Sequence, residues 1–438
     1  LVLYETQKYF KYRPDLNELR NSMLNGILPK IERVYENHNV YDVKKTIKAA
    51  THRQLVTIYY EAGKYEKARE RFAECEAIAI KLHQQGQLSR THLNLATCDL
   101  WIGKTEEKLG HYDVAERRYR SLIEHRRKFY AGHLEISSDE VKRSMAEAHG
   151  RLGDALLARG KIEEAKPLIQ AAVDARRSWY LAAQRDLRAG EDLRAGEELS
   201  GTLGRLSKLY QDSGQFQEML VASEQALELA RGSAAKKSDL PTIHCLAVAL
   251  KRLGRQYYLV DDFKQAQSHL RESIDQFELA LKKSPDFAET QVHAADGYYV
   301  LAKILFTSGQ DTSLLCERGI ELCDQLLAKS KNLINRALQL KLVALSGQVE
   351  KATKLADEMA GEHKDGETCL IAAIGYSFAA EHCDGPQRQE LMDTALQCVS
   401  DALDQGFDQY RILRTDKDFS LLQELDAYQQ LIDAAEKS

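Results

Sequence analysis

The stretch ARGKIEEAKPLIQAAVDARRSWY, residues 158–180, decides the fold. It sets Gly160 two residues before Ile162 and five before Ala165, and that order returns along the chain. The copies are Gly63-Lys-Tyr65-Glu-Lys-Ala68, Gly110-His-Tyr112-Asp-Val-Ala115, Gly214-Gln-Phe216-Gln-Glu-Met219 and Asp261-Asp-Phe263-Lys-Gln-Ala266, with a weaker one at Gly347-Gln-Val349-Glu-Lys-Ala352. Upstream lies a helical stripe, as in Leu152-Gly153 with Leu156 or Leu253-Gly254 with Tyr257. Glycine at the end of a first helix accepts a left-handed backbone. The residue two on is expected to plug the gap between helices, and the small residue near the start of the second helix permits close approach. A helix-turn-helix unit recurring in one register predicts an all-α array.

The order Leu-Gly, aromatic, turn glycine, aromatic, small residue resembles the tetratricopeptide repeat. The resemblance implies a right-handed superhelical solenoid whose inner groove holds a partner. The anchors lie 47, 50, 54 and 47 residues apart, against about 34 in the standard repeat. Longer helices follow, as in the subtype similar to kinesin light chains. The 54-residue interval contains LRAGEDLRAGEEL, in which Leu187–Asp192 is followed by a near-copy, Leu193–Glu198. Removing one copy restores the common spacing, so a local duplication in or next to the joint between repeats is expected.

Two further strings share one offset: HRRKFY at 125–130 after Gly110, and ARRSWY at 175–180 after Gly160. The offset places both at the C-terminal end of a second helix, where arginines oppose the helix dipole and aromatics pack toward the next repeat. The rival reading is a nucleic-acid-binding helical array, with guanidinium on phosphate and rings on bases.

Composition narrows the alternatives. Of 438 residues, 44% are apolar and 29% charged, with 25 Gly and only 6 Pro, a balance that fits an ordered helical chain. The formal charge of −5 advertises neither nucleic acid nor an anionic membrane. No apolar run reaches the roughly 18 residues of a membrane span. Eight cysteines without a CxxC argue against a disulfide framework or a thiolate zinc site and point to a reducing, cytoplasmic setting. The chain begins at Leu1, which reads as processing or excision from something larger.

Four regions are expected. Residues 1–48, with YFKYRPDLNELRNSMLNGILPKIERVY broken at Arg13-Pro14-Asp15, form a helical lead-in. Residues 49–285 hold regular repeats, with a capping box at Ser137-Ser138-Asp139-Glu140 and a helix start at Pro241. Residues 286–400 hold divergent repeats, and 401–438 a cap on the last apolar face. The opening Tyr12-Arg13-Pro14-Asp15-Leu16 and the ending Gly406-Phe407, Leu413-Arg414-Thr-Asp416-Lys-Asp418-Phe419, Leu422 and Leu431 are similar to segments flanking the tetratricopeptide array of bacterial serine/threonine protein kinases and related signalling proteins. That resemblance implies a catalytic domain, often with a membrane tether, N-terminal to the array.

Catalytic strings fail on inspection, so no enzyme, cofactor or metal is expected in this chain. Gly103-Lys104-Thr105 mimics a phosphate loop, but Cys98 stands where the earlier glycine belongs. Gln184-Arg185-Asp186-Leu187 mimics a kinase loop without its histidine or asparagine. The histidines form no HExxH, and Cys316 with Cys323 fits one buried helix face.

The register selects the inward positions of each first helix: Arg53, Thr57 and Tyr60; Lys104 and Lys108; Asp154; Lys208 and Gln211; Lys251, Arg255 and Tyr258. They are mainly cationic in an acidic chain. The expected partner is therefore an acidic protein or peptide segment, with Tyr60 and Tyr258 supplying apolar contact. The asparagine with which tetratricopeptide proteins clamp a C-terminal carboxylate is missing.

Overall fold

The computed structural model describes residues 59–60, 63–84, 88–186, 190–362 and 366–437. The lead-in over 1–48, Arg53 and Thr57 lie outside them. Among the described residues every regular element is helical. The first nine helices are α1 (Tyr65–Gln84), α2 (Leu88–Leu109), α3 (Tyr112–Ala131), α4 (Ser138–Ala158), α5 (Ile162–Asp186), α6 (Glu191–Asp212), α7 (Phe216–Lys236), α8 (Leu240–Leu259) and α9 (Phe263–Lys283). They pack in the pairs α2 with α3, α4 with α5, α6 with α7 and α8 with α9. A helix α10 (Ala288–Thr307) follows, and the boundary between two compact units, Leu1–His293 and Ala294–Ser438, falls within it.

Each pair is joined by the anticipated turn. Gly63, Gly110, Gly160, Gly214 and Gly347 have φ of 74°, 86°, 71°, 74° and 77°, and Asp261 adopts 64° without being glycine. At Gly160 the Lys161 N–H donates to the Leu156 carbonyl at 2.9 Å and the Gly160 N–H to Leu157 at 3.0 Å. This Schellman pairing satisfies carbonyls that the helix end leaves over. Five residues past each turn, Ala68, Ala115, Ala165, Met219, Ala266 and Ala352 are all fully buried, 0% exposed. The Leu-Gly pairs have a steric cause: a Cβ on Gly153 would stand 2.5 Å from Ile169 Cγ1, and one on Gly254 2.8 Å from Leu270 Cγ.

The plug two residues past the turn is a different matter. Tyr65 is buried, but Phe216 and Phe263 are 44% and 41% exposed. Both are the first residue of their helix. Tyr65 is the first residue of its helix as well, so the position alone does not decide burial; Tyr65 differs in meeting the Tyr60 ring edge-on at 5.4 Å. The duplication also lies deeper than the joint. Gly190, φ 82°, caps α6, and the second copy, Leu193–Glu198, forms part of its first two turns with Ala195 fully buried.

The second unit continues with α11 (Ser313–Leu327), α12 (Leu333–Leu345), α13 (Val349–Glu362), α14 (Gly366–Ala380) and α15 (Gly385–Asp404), then α16 (Tyr410–Thr415), α17 (Ser420–Gln423) and α18 (Asp426–Lys437). Cys316 and Cys323 are both fully buried on α11. The last segment buries Leu413, Phe419, Leu422, Tyr428 and Ile432, each worth roughly 1.5–3 kcal/mol in removed apolar surface. It also sets Asp418 between two cations of earlier helices. Lys303 Nζ lies 2.7 Å from one carboxylate oxygen and Lys341 Nζ 2.6 Å from the other, while the Tyr299 hydroxyl donates at 2.6 Å. No helix among the described residues is long and apolar enough to cross a membrane.

Candidate partner-binding face

The described residues named from the sequence stand on α2, α4, α6 and α8, save Tyr60, which precedes α1. Lys104 Nζ lies 4.1 Å from the centre of the Trp101 ring and 5.0 Å from that of Tyr60, whose own ring meets Trp101 edge-on at 5.5 Å. A cation over two rings keeps part of its solvation while buried. Burial, and then the Arg151 charge, pull the Lys104 ammonium down to about 8. Glu107, one turn on, accepts from the Tyr119 hydroxyl at 2.6 Å and stands 3.5 Å from Arg151. Burial pushes its carboxyl up in spite of that arginine. Gly103-Lys104-Thr105 lies inside α2, where no phosphate-cradling loop exists.

Further along, Asp154 takes Arg205 at 2.7 Å, and Lys208 bridges to Asp212 at 2.6 Å. Lys251 is 8% exposed, its Nζ 3.2 Å from His293 Nδ1, and Tyr258 is buried beside Phe263 with ring centres 6.0 Å apart. Arg255 is half-buried on the same helix. Of the positions named from the sequence, Lys208 is exposed and Lys104, Lys108 and Arg255 are half-buried, while Lys251 and Tyr258 face the packed interior.

Sequence reasoning missed three arginines, Arg151, Arg205 and Arg252, that share these helices. Arg252 was overlooked because it stands one residue past Lys251, off the stripe counted from the turn. The available signal was Gly204, a residue without a side chain at the facing position of α6.

His244, Glu289 and His293 bring one ligand atom each within 4.8 Å of one another. The donor set resembles a two-histidine, one-carboxylate metal site. Its surroundings oppose a cation. Burial works against the Glu289 charge, but His244, Lys108, His293 and Lys104 together hold its carboxyl far below the usual range. Burial, then Lys251, His244 and Lys108, hold His293 neutral. The Lys251 ammonium donating to Nδ1 leaves the ring proton on the other nitrogen, where a metal would need a lone pair. Three lysines act on this cluster, and the negative charge they meet is the Glu289 carboxylate.

The two arginine strings are joints between repeats. Arg126 donates to the Ser144 carbonyl and to Glu147 at 3.0 Å on α4, and Arg176 bridges to Glu198 at 2.9 Å on α6. Both are buried, and the residues at their offset in the other repeats, Ala79, Ala230 and Phe277, are buried too. Only Arg127 and Arg177 face outward. The aromatics serve the same joints: Trp179 Nε1 donates to Glu191 at 3.2 Å, and Phe129 stacks on His133 at 4.1 Å.

Residues 146–178 match the family model of the tetratricopeptide repeat. No curated protein matches the chain. Among solved structures, a Rap protein complexed with Competence and Sporulation Factor superposes with a TM-score of 0.55 at 15% identity, covering 92% of this chain and 96% of its own. The apo form of RapI gives 0.52 at 14% identity, over 87% of this chain and 96% of its own. At such identities the likeness concerns the fold, which is an all-α solenoid of tetratricopeptide-like repeats.

Proposed function

We propose that the first unit is a protein-interaction scaffold that receives an acidic segment of another protein along α2, α6 and α8. The observation carrying this reading is the concentration of cations on the inner helices of a chain whose net charge is −5: Lys104, Lys108, Lys208, Arg252 and Arg255. Long-range attraction speeds the encounter, and rings such as Tyr60 and Trp101 supply contact area. The Rap structure with its bound factor illustrates that a helical array of this fold can hold such a guest. Binding needs no cofactor, and the activity is recognition without catalysis, in the cytoplasm. The nucleic-acid reading loses support because half of the paired arginines are spent inside joints.

The test is a binding assay on a captured partner with Lys108→Glu and Arg255→Glu combined. Lys251 is unsuited to charge reversal because it is buried. Weaker binding with a flatter salt dependence supports the groove. Undiminished binding, or a footprint on Arg127 and Arg177, overturns it. The end motifs extend the reading to the interaction part of a larger signalling protein with serine/threonine kinase activity. A kinase domain encoded upstream of Leu1 supports that step, and any other upstream sequence refutes it.

A further inference from the structure

The joint of α3, α4 and α5 carries two open pockets that meet at one side chain. The first, about 410 Å³, is walled by Ile123 of α3, Leu152 and Leu156 of α4, and Pro167 and Leu168 of α5. The second, about 660 Å³, lies between Tyr130 near the end of α3, the loop residues Leu134 and Ile136, and Val141 and Met145 of α4. Arg127 lines both. It is exposed and makes no hydrogen bond or ion pair among the described residues, whereas Arg120, one pocket wall away, is held by Glu116 and Glu164.

The walls differ from an ordinary solvated helix face. Leu134 is 91% exposed, more than any other large apolar side chain among the described residues. Pro167 stands inside α5, past the first turn, where a proline forgoes a backbone hydrogen bond, and its exposed ring is turned to use as pocket wall. His149 also lines the first pocket; burial, then the Arg127 and Arg126 charges, lower its pKa, so at neutral pH it adds no second charge. With Arg120 and Glu164 cancelling each other, the face presents a single uncompensated cation between two apolar hollows.

The spacing selects the shape of a guest. Ile123 and Tyr130, one in each pocket, are seven residues apart on α3, roughly 10 Å along its axis. Two residues seven apart on a guest helix span the same distance on one face, with the third or fourth residue between them. A helix also satisfies its own backbone, and the described residues offer no strand edge with which an extended guest could pair.

We propose that this face is a second interaction surface, receiving an amphipathic helix of another protein that carries two apolar residues seven apart and an Asp or Glu between them. The apolar residues fill the pockets, and the acid meets Arg127. None of Lys104, Lys108, Lys208 and Arg255 lines either pocket, so the surface stands independently of the groove. It uses Arg127 without Arg177, and its mainly aliphatic walls give bases little to stack on, which separates it from a nucleic-acid footprint.

A phage library of helical peptides roughly four turns long, selected on the full chain and counter-selected on a variant carrying Arg127→Glu and Leu134→Ser, tests this. Both replacements fall on exposed side chains, and circular dichroism checks that the variant is folded. Enriched peptides are expected to carry the apolar pair with an acid between. In calorimetric titration, Arg127→Glu and Leu134→Ser should each weaken the best peptide about tenfold. Changing the peptide's acid to Lys should restore affinity on Arg127→Glu, which a merely structural role of Arg127 would not do. Lys108→Glu with Arg255→Glu should alter it by less than about twofold. Enrichment of no peptide, an enriched pattern without the acid, or a charge swap that restores nothing overturns the proposal. So does self-association in sedimentation that Leu134→Ser abolishes, since the face then belongs to a second copy of the chain. None of these outcomes bears on the groove, which shares no residue with this surface.

Discussion

The two units treat the cations six residues before their turns in different ways. In the second, Lys303 and Lys341 close on Asp418, a residue of the chain's own last segment, with the Tyr299 hydroxyl completing the shell. In the first, Lys208 and Arg255 stand at the corresponding positions, six residues before Gly214 and Asp261, and Lys208 bridges to Asp212 at 2.6 Å. One unit closes its cations on a residue from a distant segment, whereas the other pairs Lys208 with Asp212 one turn along the same helix. The difference teaches that a cation in this register takes a carboxylate from whichever source the sequence supplies, a distant segment at Asp418 or the next turn of the same helix at Asp212.

Breaking the Asp418 pairing should have the largest effect. Asp418→Ala leaves Lys303, 2% exposed, as an uncompensated buried charge, and should cost the second unit about 3–5 kcal/mol. Urea denaturation followed by hydrogen exchange over 294–437 measures it, and replacing Lys303, Lys341 and Asp418 together by apolar residues should recover most of the loss. The carboxyl of Asp418 is held well below the usual range by Lys303 and Lys341 against the opposing effect of burial. Its contribution is therefore present above the unfolded value and is lost as the pH falls below about 4.

The comparison assumes that both units use one turn. Gly160→Val and Gly347→Val should each cost roughly 1–2 kcal/mol for a side chain forced into positive φ. Gly347→Val should be the worse, since its Cβ would also meet His382 at 3.1 Å. Asp261→Gly should leave stability unchanged or raised, and a clear loss there would break the shared register.

Lys104 sharpens the recognition side. With its ammonium titrating at about 8, affinity for an acidic peptide should fall between pH 7 and 9, and Lys104→Arg should remove that slope. The folded value lies below the unfolded one of roughly 10.4, so the unfolded chain binds more protons between the two and stability rises with pH there. Lys104→Met should abolish that rise. The smallest effect belongs to Arg252: Arg252→Met should alter the unfolding free energy by less than about 0.5 kcal/mol, as expected for a side chain with no hydrogen bond or ion pair to lose.

The turns and the small buried residues were legible because their cause is local. A positive φ selects glycine within one residue, and Ala165 follows from it at a fixed distance. Phe216 and Phe263 depart from the expected plug although they share their position with buried Tyr65, because spacing along one repeat does not say which rings of neighbouring helices will cover the residue. Arg252 could not be read from its own repeat: its position depends on the missing side chain of Gly204, 48 residues earlier. The Asp418 segment was visible as a pattern of residues, but not its place between Lys303 and Lys341, which only the folded chain brings together.

The buried arginines at the joints also limit how this array can be shortened. Excising the whole repeat of α4 and α5 would leave Arg126 facing α6, which carries Glu198 as a ready partner. Excising α6 and α7 instead would leave Arg176 against α8, whose stretch Cys245–Val248 contains no acid. One repeat is thus exchangeable and its neighbour is not, so lineages or engineers that gain and lose units in this chain meet a lock and key at each boundary that helix length alone does not reveal.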